Sequence, residues 1–532
     1  MSNRLLAAVA RRGVRAALRP AYRRFERGLE RPAAAQLALL ELLTRDLATT
    51  EYGRSLGVRG REPYGEFVRK VPIVAYEDLQ PWIDRQAATS QAILTSGPIV
   101  VFEETSGSSG PRKLIPYNRR LLASFDRLFR IWTYDLLTLG PGFRTGKTFL
   151  SVSPAVRERR RTPAGVPVGF DDDTSYLSGL ARRLVGSRFL YTRDLHRVRD
   201  VSVCRRVIAA RLLAERDLEI ISIWSPTYLG SLLDFVESHR AALRRDLERG
   251  CVEVNSLRFP VRSREDIGAT LDGLGPVDWS RVWPRLQLLS CWTDATAGLF
   301  VDRLRRRFPG VRIQGKGLLA TEAPITLPLC RAPAPVPLLD EVFLELESVD
   351  GRVRLLHEVE DGEEYGVIVS QKGGLIRYRM NDRVRVEGRY RATPCLRFVG
   401  RVGDVSDLVG EKLHERFVRE VLERVRGDEG AFSFLVPVPR PAGVSYYLCV
   451  TDGAVGRDGE RARALENELM RAFRYRQARA LGQLGPVQVL VRPDAAERYT
   501  QHFLSRGQKW GEIKYEALID PVSEIELVEL AS

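Results

Sequence analysis

At 532 residues the chain is longer than one hydrophobic core can serve, so at least two domains are expected. Apolar residues at 44% and charged residues at 28% are ordinary for a globular protein, and no apolar run is long enough to form a transmembrane helix. The net charge of +15 raises nucleic acid as a partner, but the cations are scattered and 75 of the 83 are arginine, which reads as codon usage rather than a phosphate-backbone footprint, so no nucleic-acid partner is expected.

The basic excess has one local concentration. Residues 1–32 carry nine arginines against two glutamates, and Leu5, Leu6, Val9 and Leu18 give them a weak helical stripe. A solvated basic helix is expected, with weak contact to an anionic membrane surface or acidic partner left open. The run LLAAVA is too short for a secretory core. Cys204, Cys251, Cys291, Cys330, Cys395 and Cys449 form no CxxC pair, and the five histidines share no metal-ligand spacing. Free thiols in a reducing, cytoplasmic setting follow.

Next in the chain, AQLALLELLTRDLATTEYG reads as a helix closed by Gly53. PIVVFEE (98–104) is strand-like and runs straight into TSGSSGPRK. Leu121, Leu122, Phe125, Leu128, Phe129 and Trp132 then share one face of a helix that Asn118 caps. TFLSVSP, a helix over 201–216, the strand EIISIW, a helix from Pro226 to about 248, and a helix over 296–308 before VRIQ continue an α/β alternation. RAPAPVP (331–337) reads as a proline-stiffened connector. Strands dominate from Glu341 to Val399: EVFLELE, GVIVSQ, LIRYRM, VRVEG and CLRFVG. A compact α+β unit follows, with helices over 413–427, 459–478 and 496–505 and strands FSFLVPV, SYYLCV and VQVLV. The fold class is therefore α/β. A large domain over 1–400 has a basic helical start at 1–52 and a β-rich part at about 341–400, and a small domain occupies 401–532.

The loop Thr105–Lys113 combines glycines with hydroxyls, which lets backbone N–H groups and side chains converge on phosphate oxygens. It fits neither the Walker spacing nor the kinase GxGxxG pattern, and alone it reads as readily as a plain turn. Four further stretches carry polar groups near expected strand ends. GLLATEAP (317–324) holds Glu322, a hard oxygen donor suited to magnesium. IRYRMNDRV (376–384) puts Asp382 just past a strand, where a carboxylate can accept two ribose hydroxyls. FVGRVGDVSDLVGEKL (398–413) lies at the expected domain junction, and SRGQKWGEIKY (505–515) offers Lys509 and Lys514. Four of the eight lysines, Lys113, Lys412, Lys509 and Lys514, fall in or beside these stretches. A chain that otherwise writes positive charge as arginine keeps lysine where a compact ammonium must enter a tight site.

In this order, together with TEYGRSLG, VPIVAYEDLQPWIDR, SIWSPTYLGSLLDFVE and WPRLQLLSCW, these segments resemble the adenylate-forming superfamily. More closely, the chain resembles the auxin-responsive Gretchen Hagen family of acyl-acid amido synthetases, particularly its bacterial branch, over nearly its whole length. The resemblance implies an adenylate-forming architecture and an enzyme that uses ATP and Mg2+. Such an enzyme adenylates a small carboxylic acid and transfers the acyl group to an amine, in this family that of an amino acid; the alternative is an acyl-thioester synthetase using coenzyme A or a carrier-protein thiol. It further implies that Thr105, Ser106, Ser108 and Ser109, with Gly107 and Lys113 of the same loop, hold ATP phosphates. Thr321 touches the AMP phosphate, Glu322 ligates the metal, Asp382 binds the ribose and Arg401 assists near a hinge for which Asp404 is a candidate.

Lys514 is the expected catalytic lysine delivered by a mobile small domain, with Lys509 as runner-up. WTDATAG (292–298) borders the adenine, and Tyr176, Trp224 and Tyr228 are candidates for the acyl pocket, with ordinary core packing as the competing role. Two departures stand out. Ser109 replaces a frequent threonine, and Asn381 stands where glycine is frequent before the ribose-binding aspartate, so a different backbone geometry is expected there.

Overall fold

The computed structural model describes residues 2–104, 113–150, 160–170, 189–190, 195, 198, 200–254, 257–273, 275–294, 297–401, 405–406, 408–409, 411–426, 432–440, 444–452, 458–480, 482–505, 508 and 510–519. One compact unit holds Met1–Thr105 and Arg112–Val399, and a second holds Gly400–Ser532.

Three sheets organise the large unit. Strands Leu114–Asn118 and Ile99–Glu104 pair antiparallel on either side of the hydroxyl-rich loop, and Pro167–Val168 and Arg160–Arg161 extend them. A five-stranded parallel sheet runs in the order Arg312–Gln314, Leu288–Ser290, Ile220–Ser222, Thr148–Leu150, Phe189–Leu190. A third sheet contains Val353–Leu355, Val342–Glu347, Glu364–Gln371, Tyr378–Tyr390 and Thr393–Arg401 in that order. The small unit has strands Ser433–Val438, Tyr446–Thr451 and Gln488–Val491, the first pairing antiparallel and the second parallel, with helices Glu415–Arg426, Asp458–Leu469, Phe473–Ala480 and Ala495–Ser505.

The helix Arg119–Leu139 starts because Asn118 accepts from the Arg120 and Leu121 amides, satisfying two otherwise orphaned donors. Leu121, Phe125, Leu128 and Ile131 recur at helical spacing and are buried. Helix Pro32–Ala48 is tied to the third sheet by Gln36. Its buried amide donates to the Leu339 and Val342 carbonyls at 2.7 and 2.9 Å and accepts from the Leu344 amide at 2.8 Å. Four amide valences are available and three are used on one strand edge, a strong link for a single polar residue.

Several boundaries differ from the periodicity. The helix over residues 35–53 ends at Ala48, and Thr50 caps a separate short helix, Glu51–Ser55. Gly53 is inside that helix rather than a terminator; a Cβ there would lie 1.8 Å from the Leu47 carbonyl oxygen, so the glycine permits a close approach. Residues 226–249 form two helices broken at His239, and 458–480 form two broken after Leu469. LIRYRM and VRVEG belong to one long strand, Tyr378–Tyr390. The basic start is one helix, Ser2–Glu30, whose Tyr22, Phe25 and Leu29 are buried in the large core, so its C-terminal half is a packed element rather than a solvated one. No helix among the described residues is long and apolar enough to cross a membrane. All six cysteines are free thiols.

Glu62 organises the turn before the helix Tyr64–Lys70. Burial alone raises its pKa, but hydrogen bonds from the Arg59 amide, from Lys70 and from neighbouring amides outweigh this and bring it from the usual 4.5 down to about 2. Its folded-state value is depressed, so the stability it supplies is present above pH 4.5 and is lost as pH falls toward 2. Glu62→Gln is expected to lower the thermal midpoint at pH 7 and to flatten the decline between pH 4.5 and 2, which circular dichroism across that range will measure.

Candidate nucleotide and acyl site

Parallel strands present their carboxyl ends together, and open α/β sheets bind ligands along that edge. Here the edge is formed by Gln314, Ser290 and Ser222, the last residues of three neighbouring strands. Just beyond them lie Lys316, Trp292 and Trp224. The Lys316 ammonium donates to Ser222 Oγ at 2.8 Å and stands 5.0 Å from the Trp224 ring centroid and 5.9 Å from that of Trp132. Trp132 in turn donates its indole N–H to Gln314 Oε1 at 3.0 Å. Trp224 and Trp292 rings lie 5.9 Å apart. Two glycines place this lysine: a Cβ on Gly315 would meet Thr293 Oγ1 at 2.4 Å, and Gly317 has φ +72° with the Thr326 carbonyl oxygen 2.8 Å from a Cβ. Of the aromatic candidates, Trp224 reaches this edge half-buried, and Tyr228 is buried in helix Pro226–Ser238. Tyr176 lies outside the described residues.

The turn after Lys316 carries Thr321 and Glu322. Tyr117 donates its hydroxyl to the Thr321 carbonyl, and Gln371 donates to the Glu322 carbonyl at 3.1 Å. Tyr117 is itself fixed by Phe125, stacked at 5.7 Å, and by Phe170, edge-on at 5.5 Å. Thr321 and Glu322 are therefore held through their backbones, and both remain half-buried.

Asp382 is brought to the same place by a bulge. Strand Glu364–Gln371 pairs with Tyr378–Tyr390 at Gly366↔Arg383 and then at Ile368↔Arg379, so residues 380–382 are looped out of the ladder. The loop needs one left-handed residue, and Asn381 supplies it with φ 62°. Asparagine is among the few side chains that tolerate this region, which explains why it can stand in for glycine. The expectation of a different backbone geometry is thus replaced by a glycine-like one. Asn381→Gly is expected to leave activity within about twofold, whereas Asn381→Val costs about 1–2 kcal/mol of stability and weakens ATP binding; denaturant titration and a KM for ATP separate the two.

Tyr378 is the hub. Its hydroxyl is buried, and burial followed by the charges of Glu322, Glu77, Tyr76 and Asp382 pushes its pKa far up, which keeps it a neutral hydrogen-bonding group near both carboxylates. Backbone bonds between Val74 and the Arg377 and Arg379 groups lay the start of helix Tyr76–Ala88 beside it. Underneath, Arg377 makes a bidentate pair with buried Glu345, which also accepts from Tyr64 at 2.9 Å, while Arg377 donates to the Val71 carbonyl at 2.7 Å. A buried pair with its valences filled fixes geometry more than it adds stability. Lys113 joins from the hairpin: its ammonium is 5.2 Å from the Tyr76 ring centroid and 3.8 Å from Glu77. The Tyr76 hydroxyl accepts from the Leu114 amide.

WTDATAG also reaches the sheet edge. Asp294 is paired with Arg397 at 3.0 Å, and Arg397 with Glu387 at 2.6 Å, linking this segment to the third sheet. Burial raises the Asp294 pKa, and Arg397 opposes the rise.

In the small unit, the Lys514 side chain is exposed on a clamped backbone. The buried Tyr499 hydroxyl donates to the Lys514 carbonyl and accepts from the Glu516 amide, each at 2.9 Å, and Tyr499 packs against Phe432, Phe434 and Tyr515. Glu411 of the junction motif is buried, accepting from the Leu408 and Val409 amides and from Tyr447, and Lys412 follows with φ 46°. Arg401 ends the strand Thr393–Arg401. Thr105, Ser106, Gly107, Ser108, Ser109, Asp404 and Lys509 lie outside the described residues.

The structure thus brings Thr321, Glu322, Asp382 and Lys113 into one neighbourhood. Sequence reasoning missed Lys316, Tyr378, Tyr117 and Gln371. Only Lys316 had a local signal, as a lysine between two glycines in a lysine-poor chain.

A parallel sheet whose carboxyl edge faces this set of groups, followed by a small α+β unit, is the architecture of adenylate-forming enzymes. A solved structure of 2-hydroxyisobutyryl-CoA ligase in the postadenylation state shares that fold, with a TM-score of 0.55 at 14% identity, covering 94% of this chain and 93% of that one. Residues 21–313 match the GH3 family N-terminal domain and residues 341–401 the GH3 family central domain. The chain belongs to the GH3 family. Its relatives include the indole-3-acetic acid-amido synthetase GH3.8 of Oryza sativa subsp. indica, 26% identical over 93% of this chain and 90% of the relative. The putative indole-3-acetic acid-amido synthetase GH3.10 of Oryza sativa subsp. japonica is 27% identical over 74% of this chain and 83% of the relative. The AtGH3.15 acyl acid amido synthetase, solved with 2,4-DB, has the same fold at TM-score 0.80 and 20% identity, covering 96% and 95% of the two chains.

Proposed function

We propose that the protein is an ATP-dependent ligase that adenylates a small carboxylic acid and passes the acyl group to an amine, that of an amino acid. The observation that carries this reading is the turn of Thr321 and Glu322, held through its backbone by Tyr117 and Gln371, in a chain of the GH3 family. Asp382 accepts the two ribose hydroxyls. The Thr321 hydroxyl contacts the AMP phosphate, and Lys113 with the hydroxyls and amides of 105–109 takes the departing phosphates.

Glu322 suits Mg2+, which is usually held by one or two carboxylates together with nucleotide phosphates and water. No group of three or more acidic, histidine or cysteine ligands occurs among the described residues, so the fit is to an ion arriving with the nucleotide. When bound, the ion offsets phosphate charge.

In the first step a substrate carboxylate oxygen bonds to the α-phosphorus and pyrophosphate leaves. In the second the amine nitrogen bonds to the acyl carbon, AMP leaves and the nitrogen gives up a proton. Acyl-adenylates hydrolyse readily, so exclusion of water by a mobile small domain, hinged near Arg401, belongs to the proposal. Lys514, with Lys509 as the second choice, meets the reacting carboxylate and α-phosphate. The acyl body lies along the sheet edge, where Trp224 contributes a wall and Tyr228 supports it from behind. The six free thiols support a cytoplasmic setting.

Hydroxylamine trapping with ATP across aromatic, indolic and aliphatic acids tests activation, because the hydroxamate forms whatever the natural acceptor. Product mass after offering amino acids and coenzyme A then tests the acceptor. An amide product is expected. A thioester alone transfers the protein to the acyl-thioester alternative, and no hydroxamate with any acid removes the adenylation reading.

A further inference from the structure

The basic start of the chain has a structural use that adenylation does not absorb. A cavity of about 660 Å3 lies between the helix Ser2–Glu30 and the helix Arg119–Leu139. Arg12, Arg15, Arg19 and Arg23 line one side of it, spaced by three, four and four residues so that they share a helix face roughly 16 Å long. Arg331 and Arg391 enter from elsewhere. Arg391 is already paired with Glu26 and Glu30. None of Arg12, Arg15, Arg19 and Arg23 forms an ion pair with an acid among the described residues, and with six arginines against Glu26 and Asp135 the lining keeps an excess of positive charge.

The four arginines are themselves exposed, and aromatic side chains wall the space beside them. Its aromatic lining is Tyr22, Tyr134 and Tyr390, with the Tyr22 and Tyr134 rings 4.6 Å apart. Asp135 also belongs to the lining; it is completely buried, its Oδ2 accepts from the Cys330 amide at 2.7 Å, and its Oδ1 has no hydrogen-bond partner among the described residues. With no exposed surface, Asp135 backs the cavity wall and is not itself reached from the cavity. In the C-terminal half of the helix the apolar face is already used, since Tyr22, Phe25 and Leu29 are in the core.

We propose that this cavity binds a phosphorylated small molecule of nucleotide size. Its phosphates meet the arginine row and its ring lies against the tyrosines. Guanidinium groups suit phosphate because they donate in a planar fork.

Calorimetric titration of the full chain with inorganic tripolyphosphate and with adenosine 3′,5′-bisphosphate tests this, alongside phosphatidylglycerol vesicles. Both soluble probes are expected to bind, and Arg15→Gln/Arg19→Gln to weaken both by about tenfold or more. The charge-matched control Arg303→Gln/Arg306→Gln is expected to leave both unchanged. Because Arg15 and Arg19 lie outside the adenylation machinery, hydroxamate formation in the double variant is expected to match wild type. No binding, binding that the Arg15/Arg19 pair does not affect, equal loss from the control pair, or binding to vesicles alone each overturns the proposal.

Discussion

Lys514→Ala is expected to lower the rate of ATP–pyrophosphate exchange by about 10²–10³-fold, the size of effect seen when one preorganised donor to developing charge is removed. An anionic carboxylate approaching an anionic α-phosphate needs a cation at the point of contact, and the exposed side chain of Lys514 sits on a backbone that the buried Tyr499 hydroxyl holds at both Lys514 and Glu516. The clamp keeps the ammonium's base rigid while leaving its four-carbon stem to reach. Amide formation from a preformed acyl-adenylate is expected to be largely unchanged, because that step no longer joins two anions. Lys514→Arg is expected to fail as well, since a planar guanidinium is broader than an ammonium. Exchange at near wild-type rate in Lys514→Arg rejects the argument from lysine scarcity. Loss in Lys509→Ala with retention in Lys514→Ala moves the role to Lys509. Thermal midpoints close to wild type are expected throughout, as the side chain is exposed.

Much of the architecture was legible because it rests on local pattern. Asn118 and the apolar face after it announced the helix Arg119–Leu139, and the alternation of short strands with helices announced an α/β fold. Thr321, Glu322 and Asp382 were singled out as candidates by motif, but the groups that hold Thr321 and Glu322 were not. Tyr117 reaches Thr321 across 204 residues and Gln371 reaches Glu322 across 49, and no window of sequence contains such pairs.

The bulge at residues 380–382 was read as a gap between two strands because a looped-out segment interrupts the two-residue alternation on which strand recognition depends. Gly53 shows the same limit in reverse: a glycine after a helical run reads as a terminator, while its actual role is to let the backbone pass Leu47. Lys316 went unremarked for a related reason. Its significance comes from Trp132 and from Ser222 and Trp224, two segments far from it in sequence.

The second large effect concerns Asp382. Asp382→Ala is expected to reduce kcat/KM for ATP by about 10²–10⁴-fold, since two hydrogen bonds to a charged acceptor are lost and each is worth roughly 1.5–3 kcal/mol. Ribose recognition makes a sharper forecast than the loss itself. Wild-type protein is expected to prefer ATP over 2′,3′-dideoxy-ATP by a similar factor, and the variant to have lost that preference, because removing the carboxylate and removing the hydroxyls delete the same contacts. Asp382 is buried and shares its surroundings with Tyr378 and Glu322, so Asp382→Asn is the companion that preserves volume. It keeps one acceptor oxygen and is expected to fall between wild type and alanine, with discrimination reduced but present. If Asp382→Ala weakens ATP and the dideoxy analogue equally while the preference for ATP survives, the carboxylate supports the fold around Tyr378 and the ribose is held elsewhere. Glu322→Gln separates these cases further: a residue concerned with the phosphates changes the magnesium dependence of pyrophosphate exchange and leaves the ribose preference intact.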